Sequence, residues 1–161
     1  MLPPYAEVHC LSNFSFLRGA SHPEELVERA HAARYAALAL TDECSLAGAV
    51  RAHLAAKEVG LPLVLGSEFT LVDGLKLVLY ATDRNTYGDL TQLITRGRRN
   101  AQKGTYRLTR EDVAEVAPRC LALWVPAFSW VRTARSTAPR TPPNAPSPRS
   151  PLNAPSPRSR G

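Results

Sequence analysis

The segment YAEVHCLSNFSFLRG (residues 5–19) begins with a short apolar run that ends on His9, as expected of a strand that leads into a loop. Two later segments, LTDECSLAG and LGSEF, also end an apolar run on side chains that can bind metal. The candidate metal-binding residues of the three segments are His9, Asp42, Glu43 and Glu68. Because a βα barrel brings the C-terminal ends of its strands to one rim, we expect these four side chains to lie close together.

Apolar runs and helical patterns alternate along residues 1–126. The predicted strands are residues 6–10, 36–41, 63–69, 75–81 and 120–125. The predicted helices begin at a capping box over residues 21–24, cover residues 46–59 and 85–95, and begin again at residues 109–112. This alternation predicts an α/β fold with a mostly parallel sheet. The third and fourth strands depart from it, because only a turn at Asp73 and Gly74 separates them, as in a hairpin.

The helix predicted over residues 46–59 carries one apolar face at helical spacing. The residues grouped on that face are Ala49, Val50, His53, Leu54 and Ala56.

Residues 127–161 differ sharply in composition from the rest of the chain. They contain all six arginines of the charge excess, eight of the 14 prolines, and neither an acidic residue nor a lysine. The heptapeptide NAPSPRS occurs twice, at residues 144–150 and 153–159. With so few hydrophobic residues this segment cannot offset the entropy of ordering, so we predict one folded domain over residues 1–126 and a disordered tail over residues 127–161. A linker and out-of-frame translation of a GC-rich gene both account for the tail.

The charge and cysteine content limit the class of protein. Residues 1–126 contain 14 Lys and Arg against 14 Asp and Glu, so the net charge of +6 belongs to the tail. The cysteines are Cys10, Cys44 and Cys120, with no CxxC pair, which argues against a disulfide framework and favours a reducing cytoplasm. The N-terminus resembles no signal peptide, and no apolar run is long enough to span a membrane. We therefore expect a cytoplasmic protein without a membrane partner.

Four co-linear segments resemble the PHP domain at the N-terminus of bacterial DNA polymerase III alpha subunits, and most closely that of the error-prone branch. They are YAEVHCLSNFSFLRGAS, YAALALTDECSLAG, LPLVLGSEF and LVLYATDRNTYGDLTQLITRGRR, and they span nearly all of residues 5–126. The resemblance implies a distorted seven-stranded βα barrel. Since about five strands fit into residues 1–126, we expect a partial, TIM-like barrel of the PHP type.

The resemblance also implies a set of vestigial metal ligands. Metal-competent members of this family carry His-x-His in the first motif and Asp-His in the second. Here Leu11 stands at the second histidine of the first motif, and Glu43 stands at the histidine of the second. His9, Asp42 and Glu68 carry over as vestigial ligands, with Glu43 as a further candidate. We expect no cofactor, with residual Zn or Mn as the alternative, because a multi-metal site needs several ligands for each ion.

Taken singly, these residues have plainer explanations. His9 also fits an ordinary histidine at a strand end, and Asp42 fits a helix-capping carboxylate. Glu43 fits a solvated loop acid, and Glu68 fits the partner of an arginine.

The function implied by the resemblance is that of an error-prone DNA-directed DNA polymerase in replication and damage-tolerant repair synthesis. Its partners would be DNA, through the full-length enzyme, and other replication or mutasome proteins. The polymerase palm, with its Mg and catalytic aspartates, is not in this sequence, so we expect no catalytic residue here and a structural, inactive fragment. Two alternatives stay open. One is a metal-dependent PHP phosphoesterase or exonuclease, and the other is a basic nucleic-acid-binding module that uses the arginine-rich tail.

Overall fold

The computed structural model describes residues 4–126, in which strands and helices alternate. The predicted disordered tail, residues 127–161, lies outside the described residues. The elements in chain order are β1 (Ala6–Cys10), α1 (Pro23–Ala32), β2 (Ala37–Leu40), α2 (Ala49–Val59), β3 (Leu63–Thr70), β4 (Lys76–Tyr80), α3 (Arg84–Arg99), α4 (Arg110–Val116) and β5 (Leu121–Val125). The five predicted strands are all present within two residues of their predicted bounds.

The five strands form one mixed sheet in the order β1-β2-β3-β4-β5. The β1–β2 and β2–β3 pairs are parallel, whereas the β3–β4 and β4–β5 pairs are antiparallel. The hairpin expected between β3 and β4 is confirmed, whereas the prediction of a mostly parallel sheet is wrong for β5. The connection between β3 and β4 explains the first reversal, because five residues can form a hairpin but are too few for the crossover that a parallel pair needs.

Two groups of helices pack on the sheet. In the first group, α1 and α2 pack against each other and over β2 and β3. The buried apolar residues of this group are Val27, Ala30, Leu38, Leu40, Ala52, Ala56 and Leu61. In the second group, α3 packs against β3, β4 and α4. Its buried apolar residues include Phe69, Leu71, Leu77, Leu79, Leu90, Leu93 and Leu108.

The buried face of α2 differs from the predicted one. Small residues are buried on this helix, namely Ala49, Ala52 and Ala56. In contrast, Val50 and Leu54 are 68% and 56% exposed. The distance between packed helices depends on the side chains at the contact, and alanines let α1 approach closely. The helical spacing was correct, but close packing selected the alanine stripe over the larger side chains.

Two close approaches to backbone carbonyl oxygens show that the sheet is strongly curled. Gly66 lies in β3 where pairing passes from β2 to β4, and a Cβ atom there would lie 2.7 Å from the carbonyl oxygen of Leu79. The Tyr80 hydroxyl of β4 donates a hydrogen bond of 2.6 Å to the carbonyl oxygen of Val8 in β1. Two strands separate β1 from β4 in the sheet, about 14 Å across three flat strand spacings. A direct bond between them requires a strongly curled sheet.

The curled sheet is an open half-barrel with β1 and β5 as its edges. An apolar groove of about 710 Å³ runs along it, and its lining includes Val64, Tyr80, Leu121 and Leu123. The predicted fold class, an α/β fold with a partial βα barrel, is confirmed. Within residues 4–126, none of the helices combines the length and apolar character needed to cross a bilayer.

Candidate functional site

His9 and Glu68 meet at the rim of the half-barrel. The His9 Nε2 atom lies 2.7 Å from the Glu68 Oε2 atom. The Glu68 side chain is fully buried, whereas the His9 side chain is 29% exposed. Because an ionised carboxylate can only accept a hydrogen bond, the imidazole donates through Nε2. That nitrogen then has no lone pair left for a metal ion.

The backbone brings Glu43 beside Glu68. These two residues form an isolated parallel bridge beyond the end of β2, and the Cys44 amide donates to the Glu68 carbonyl oxygen at 2.9 Å. Cys44 adopts a positive φ of 45°, which turns the chain away immediately after this bridge. The predicted convergence of His9, Glu43 and Glu68 therefore follows from neighbouring strand ends, as in a barrel rim.

Two cations of the chain also contact these acids. The Arg18 Nη1 atom lies 2.8 Å from Glu43 Oε2 and 2.5 Å from Glu68 Oε1. The Lys76 Nζ atom lies 3.2 Å from Glu68 Oε1. The plainer explanation of Glu68, as the partner of an arginine, thus describes its main contact.

The pKa of Glu68 is lower than the ordinary value for glutamate. Burial acts to raise this pKa, but hydrogen bonds from Arg18 and Lys76 act in the opposite direction and outweigh it. The carboxylate is therefore ionised at neutral pH, with its charge already balanced by cations of the chain.

The Asp42 carboxylate is satisfied by a separate set of donors. The Ser12 amide and the Ser15 hydroxyl each donate to Oδ1 at 2.7 Å, and the Ser12 hydroxyl donates to Oδ2 at 2.7 Å. Asp42 is only 1% exposed. The Ser15 Oγ atom also accepts a hydrogen bond of 2.9 Å from the Glu43 amide. Asp42 therefore holds the loop between β1 and α1 against the end of β2.

Tyr106 fixes the second oxygen of Glu43. Its hydroxyl donates to Glu43 Oε1 at 2.9 Å and accepts a hydrogen bond of 2.8 Å from the Thr70 amide. Burial raises the pKa of Tyr106 to about 12, so the phenol keeps its proton at neutral pH. The Arg98 guanidinium carbon lies 5.6 Å from the centre of the Tyr106 ring, within cation–π distance.

The donor atoms in this arrangement do not fit a divalent ion. Within the described range 4–126, no three His, Cys, Asp or Glu side chains are grouped so that they could hold a metal. The oxygens of Glu68 face Arg18, Lys76 and His9, and those of Asp42 accept from serines. The assignment of His9, Asp42, Glu68 and Glu43 as metal ligands stays a prediction.

Five residues of the site were missing from the prediction. Arg18 and Lys76 bind the acids, Ser12 and Ser15 bind Asp42, and Tyr106 binds Glu43. Of these residues, only Lys76 could have been predicted from the sequence pattern. Glu68 of β3 pairs with Val78 of β4, and Lys76 lies two residues before Val78, so it is on the same face of the hairpin and diagonal to Glu68. Loop residues such as Arg18 have no periodicity from which a contact could be predicted.

The sequence of this half-barrel matches a known domain family. Residues 7–129 match the family model described as the PHP domain. The chain belongs to the PHP domain family. The predicted family is confirmed, and the match covers the strand ends that carry His9, Asp42 and Glu68.

Curated relatives of this PHP chain are named error-prone DNA polymerases. The protein from Dechloromonas aromatica is 65% identical over 130 residues, which cover 78% of this chain and 13% of the relative. The protein from Aromatoleum aromaticum is 63% identical over 124 residues, which cover 76% of this chain and 12% of the relative. The chain thus spans about an eighth of the length of these relatives.

Solved structures share the fold of this PHP chain. A provisionally assigned metal-dependent phosphoesterase from Bifidobacterium adolescentis matches with a TM-score of 0.51 and 29% identity, over 60% of this chain and 34% of its own. An amidohydrolase from Chromobacterium violaceum, solved with bound sulfate and no metal, matches with a TM-score of 0.51 and 30% identity, over 59% of this chain and 34% of its own.

Proposed function

We propose that this chain is the PHP domain of an error-prone DNA polymerase and serves as a structural, non-catalytic part of that enzyme. The whole polymerase would extend primers on damaged templates during replication and repair, with DNA and other replication or mutasome proteins as partners. The relatives named error-prone DNA polymerase, at 62–65% identity, support this assignment. The three free cysteines Cys10, Cys44 and Cys120 support a cytoplasmic location.

One observation carries the non-catalytic role. Metal-assisted hydrolysis needs an ion with an open coordination position, at which water is activated. Here the rim acid Glu68 already binds Arg18 and Lys76, and Asp42 accepts three hydrogen bonds from serines. Leu11, which stands at a ligand position of the family motif, carries no ligand atom. The acids of the rim therefore bind groups of the chain itself.

The test is a metal titration combined with a hydrolysis assay on the full 161-residue chain. Manganese and zinc are titrated by calorimetry, and hydrolysis is measured on p-nitrophenyl phosphate and on end-labelled single-stranded DNA. We expect neither stoichiometric binding nor metal-dependent turnover. The matched variant Leu11→His/Glu43→His carries a histidine at both positions where the family motif has one. It shows whether the absence of these two imidazoles accounts for the absence of metal binding. Tight binding with turnover by the parent chain would overturn the structural role.

A second candidate function is metal-dependent phosphoesterase activity. The likeness to the Bifidobacterium protein, which is named for that activity, favours it. The same assay separates the two functions, because a phosphoesterase must show metal-dependent release of phosphate by the parent chain. A chelator would then abolish the activity, and added manganese would restore it.

A further inference from the structure

We propose that Arg18 and Lys76 form a built-in counter-cation that takes the place of a divalent ion between Glu43 and Glu68. This proposal rests on the proposed non-catalytic function and names the side chains that close the rim to metal. It also assigns the rim a latent property: removal of the arginine converts the site into one that binds a divalent cation.

The charge balance is the first argument. The two glutamates contribute two negative charges, and Arg18 and Lys76 contribute two positive charges, which equals the charge of one divalent ion. A single Arg18 nitrogen, Nη1, contacts one oxygen from each glutamate. A bridging contact of this kind between two carboxylates is also how a metal ion would join them.

The loop that carries Arg18 is the second argument. The preceding residue, Leu17, has a φ of 61°, a conformation that side-chain-bearing residues rarely adopt. Gly19 follows, and a Cβ atom there would lie 2.0 Å from the Ser12 carbonyl oxygen. Both the Arg18 and Gly19 amides donate to the Ser15 carbonyl oxygen. Such a strained, tightly packed turn persists where the surrounding contacts fix it, and here it directs Arg18 to the acids.

The donors that remain without Arg18 are the third argument. Glu68 Oε1 and Glu43 Oε2 share the Nη1 atom as a partner, so both face the space that the guanidinium fills. Carboxylate oxygens are donors that suit Mn²⁺, with water completing the coordination of the ion. In the parent chain the guanidinium occupies the position between these donors.

The experiment compares five forms of the full chain: the parent, Arg18→Ala, Arg18→Lys, Lys76→Ala and Arg51→Ala. Free Mn²⁺ is measured by electron paramagnetic resonance during titration, and thermal unfolding is followed with and without Mn²⁺. Manganese is preferred to zinc because the nearby thiols of Cys10 and Cys44 favour softer metals. Arg51 pairs with Glu24 on the surface and controls for the loss of an ion-paired arginine.

We expect Arg18→Ala to bind Mn²⁺ at least tenfold more tightly than the parent and to gain thermal stability from it. The variants Arg18→Lys and Arg51→Ala should behave like the parent. If Arg18→Ala is unfolded without metal, Mn²⁺ should restore cooperative unfolding, and Lys76→Ala should show a smaller gain in binding.

Three results bear on the proposal in different ways. A folded Arg18→Ala variant that binds no more Mn²⁺ than the parent would overturn the counter-cation proposal and leave the structural role intact. An unfolded variant that Mn²⁺ does not restore would also overturn it. Tight binding by the parent chain would contradict both proposals, so the two failures are distinguishable.

Discussion

Asp42 and Glu68 are both buried carboxylates, yet the chain stabilises them in different ways. Asp42 accepts hydrogen bonds from neutral groups only, a backbone amide and two serine hydroxyls on the loop between β1 and α1. Glu68 binds two cations and a histidine that come from β1, β4 and the same loop. The first arrangement anchors one loop to one strand end, whereas the second ties distant strands together through charge.

The difference shows two ways in which a buried acid can be satisfied by groups of its own chain. Serine donors satisfy the oxygens of Asp42 without changing its charge. Cations of the chain neutralise Glu68 and fill the space beside it. A divalent ion would have to displace three hydrogen bonds in the first case and an ion pair in the second.

The largest effect is expected where the cations of Glu68 are removed. The double substitution Arg18→Met/Lys76→Met leaves a buried carboxylate without counter-charge and should lower the free energy of unfolding by about 3–5 kcal/mol. Urea denaturation measures the change. The control Arg51→Met breaks an exposed pair with Glu24 and should cost far less, because solvent screens such a pair. Equal losses in both proteins would show that Glu68 needs no counter-charge.

A somewhat smaller loss is expected at Asp42. Asp42→Ala leaves the buried donors of Ser12 and Ser15 without an acceptor and should cost about 2–4 kcal/mol, because each unsatisfied buried group is penalised. The control Asp73→Ala removes an exposed carboxylate that accepts from Leu75 and Arg110. If the two alanine variants unfold at the same urea concentration, the serine donors contribute nothing specific.

The pH dependence of stability tests the ion pairing of Glu68. Because the folded-state pKa of Glu68 is lowered, its contribution is complete above its unfolded pKa of about 4.3 and is lost as the pH falls through the folded value. In Glu68→Gln, the free energy of unfolding should therefore decrease less steeply as the pH falls. The change in slope should be smaller than about 1.4 kcal/mol per pH unit, which is the limit for one proton. An unchanged slope would contradict the ion pairing.

The smallest effect is expected at Tyr106, which contacts Glu43 at the edge of the ion-pair network that Arg18, Lys76, Glu43 and Glu68 form. Tyr106→Phe removes the hydroxyl that joins Glu43 to the Thr70 amide and should lower the free energy of unfolding by about 0.5–1.5 kcal/mol. Tyr5→Phe removes an exposed hydroxyl bonded to Glu7 and is the control. A loss no larger than that of the control would show that the Tyr106 hydroxyl adds no stability through Glu43.

Much of the fold could be predicted because strands and helices have periodic signals. The β1 bounds, Ala6–Cys10, match the prediction, and Thr109 caps α4 as expected. The predicted capping box of α1 was wrong by one residue. His22 is the capping position, and its amide donates to Glu25, because Pro23 fits the first helical position, where no amide donor is needed.

The site could be predicted only in part. Strand ends gave the meeting of His9, Glu43 and Glu68, since neighbouring strands fix these positions through the backbone. The side chain of Asp42 turned towards serines, which no spacing rule indicates. Arg18 reaches the rim from an irregular loop, where the path of the chain depends on local contacts such as the Ser12 amide on Asp42 rather than on a repeat.

The hydrogen bond from the Tyr80 hydroxyl to the Val8 carbonyl oxygen joins β1 directly to β4, two strands that are not neighbours in the sheet. It fixes the span between β1 and β4, the two strands that supply His9 and Lys76 to the network. β5 lies beyond β4 in the strand order, and the charged network of His9, Arg18, Glu43, Glu68 and Lys76 contains no residue of β5.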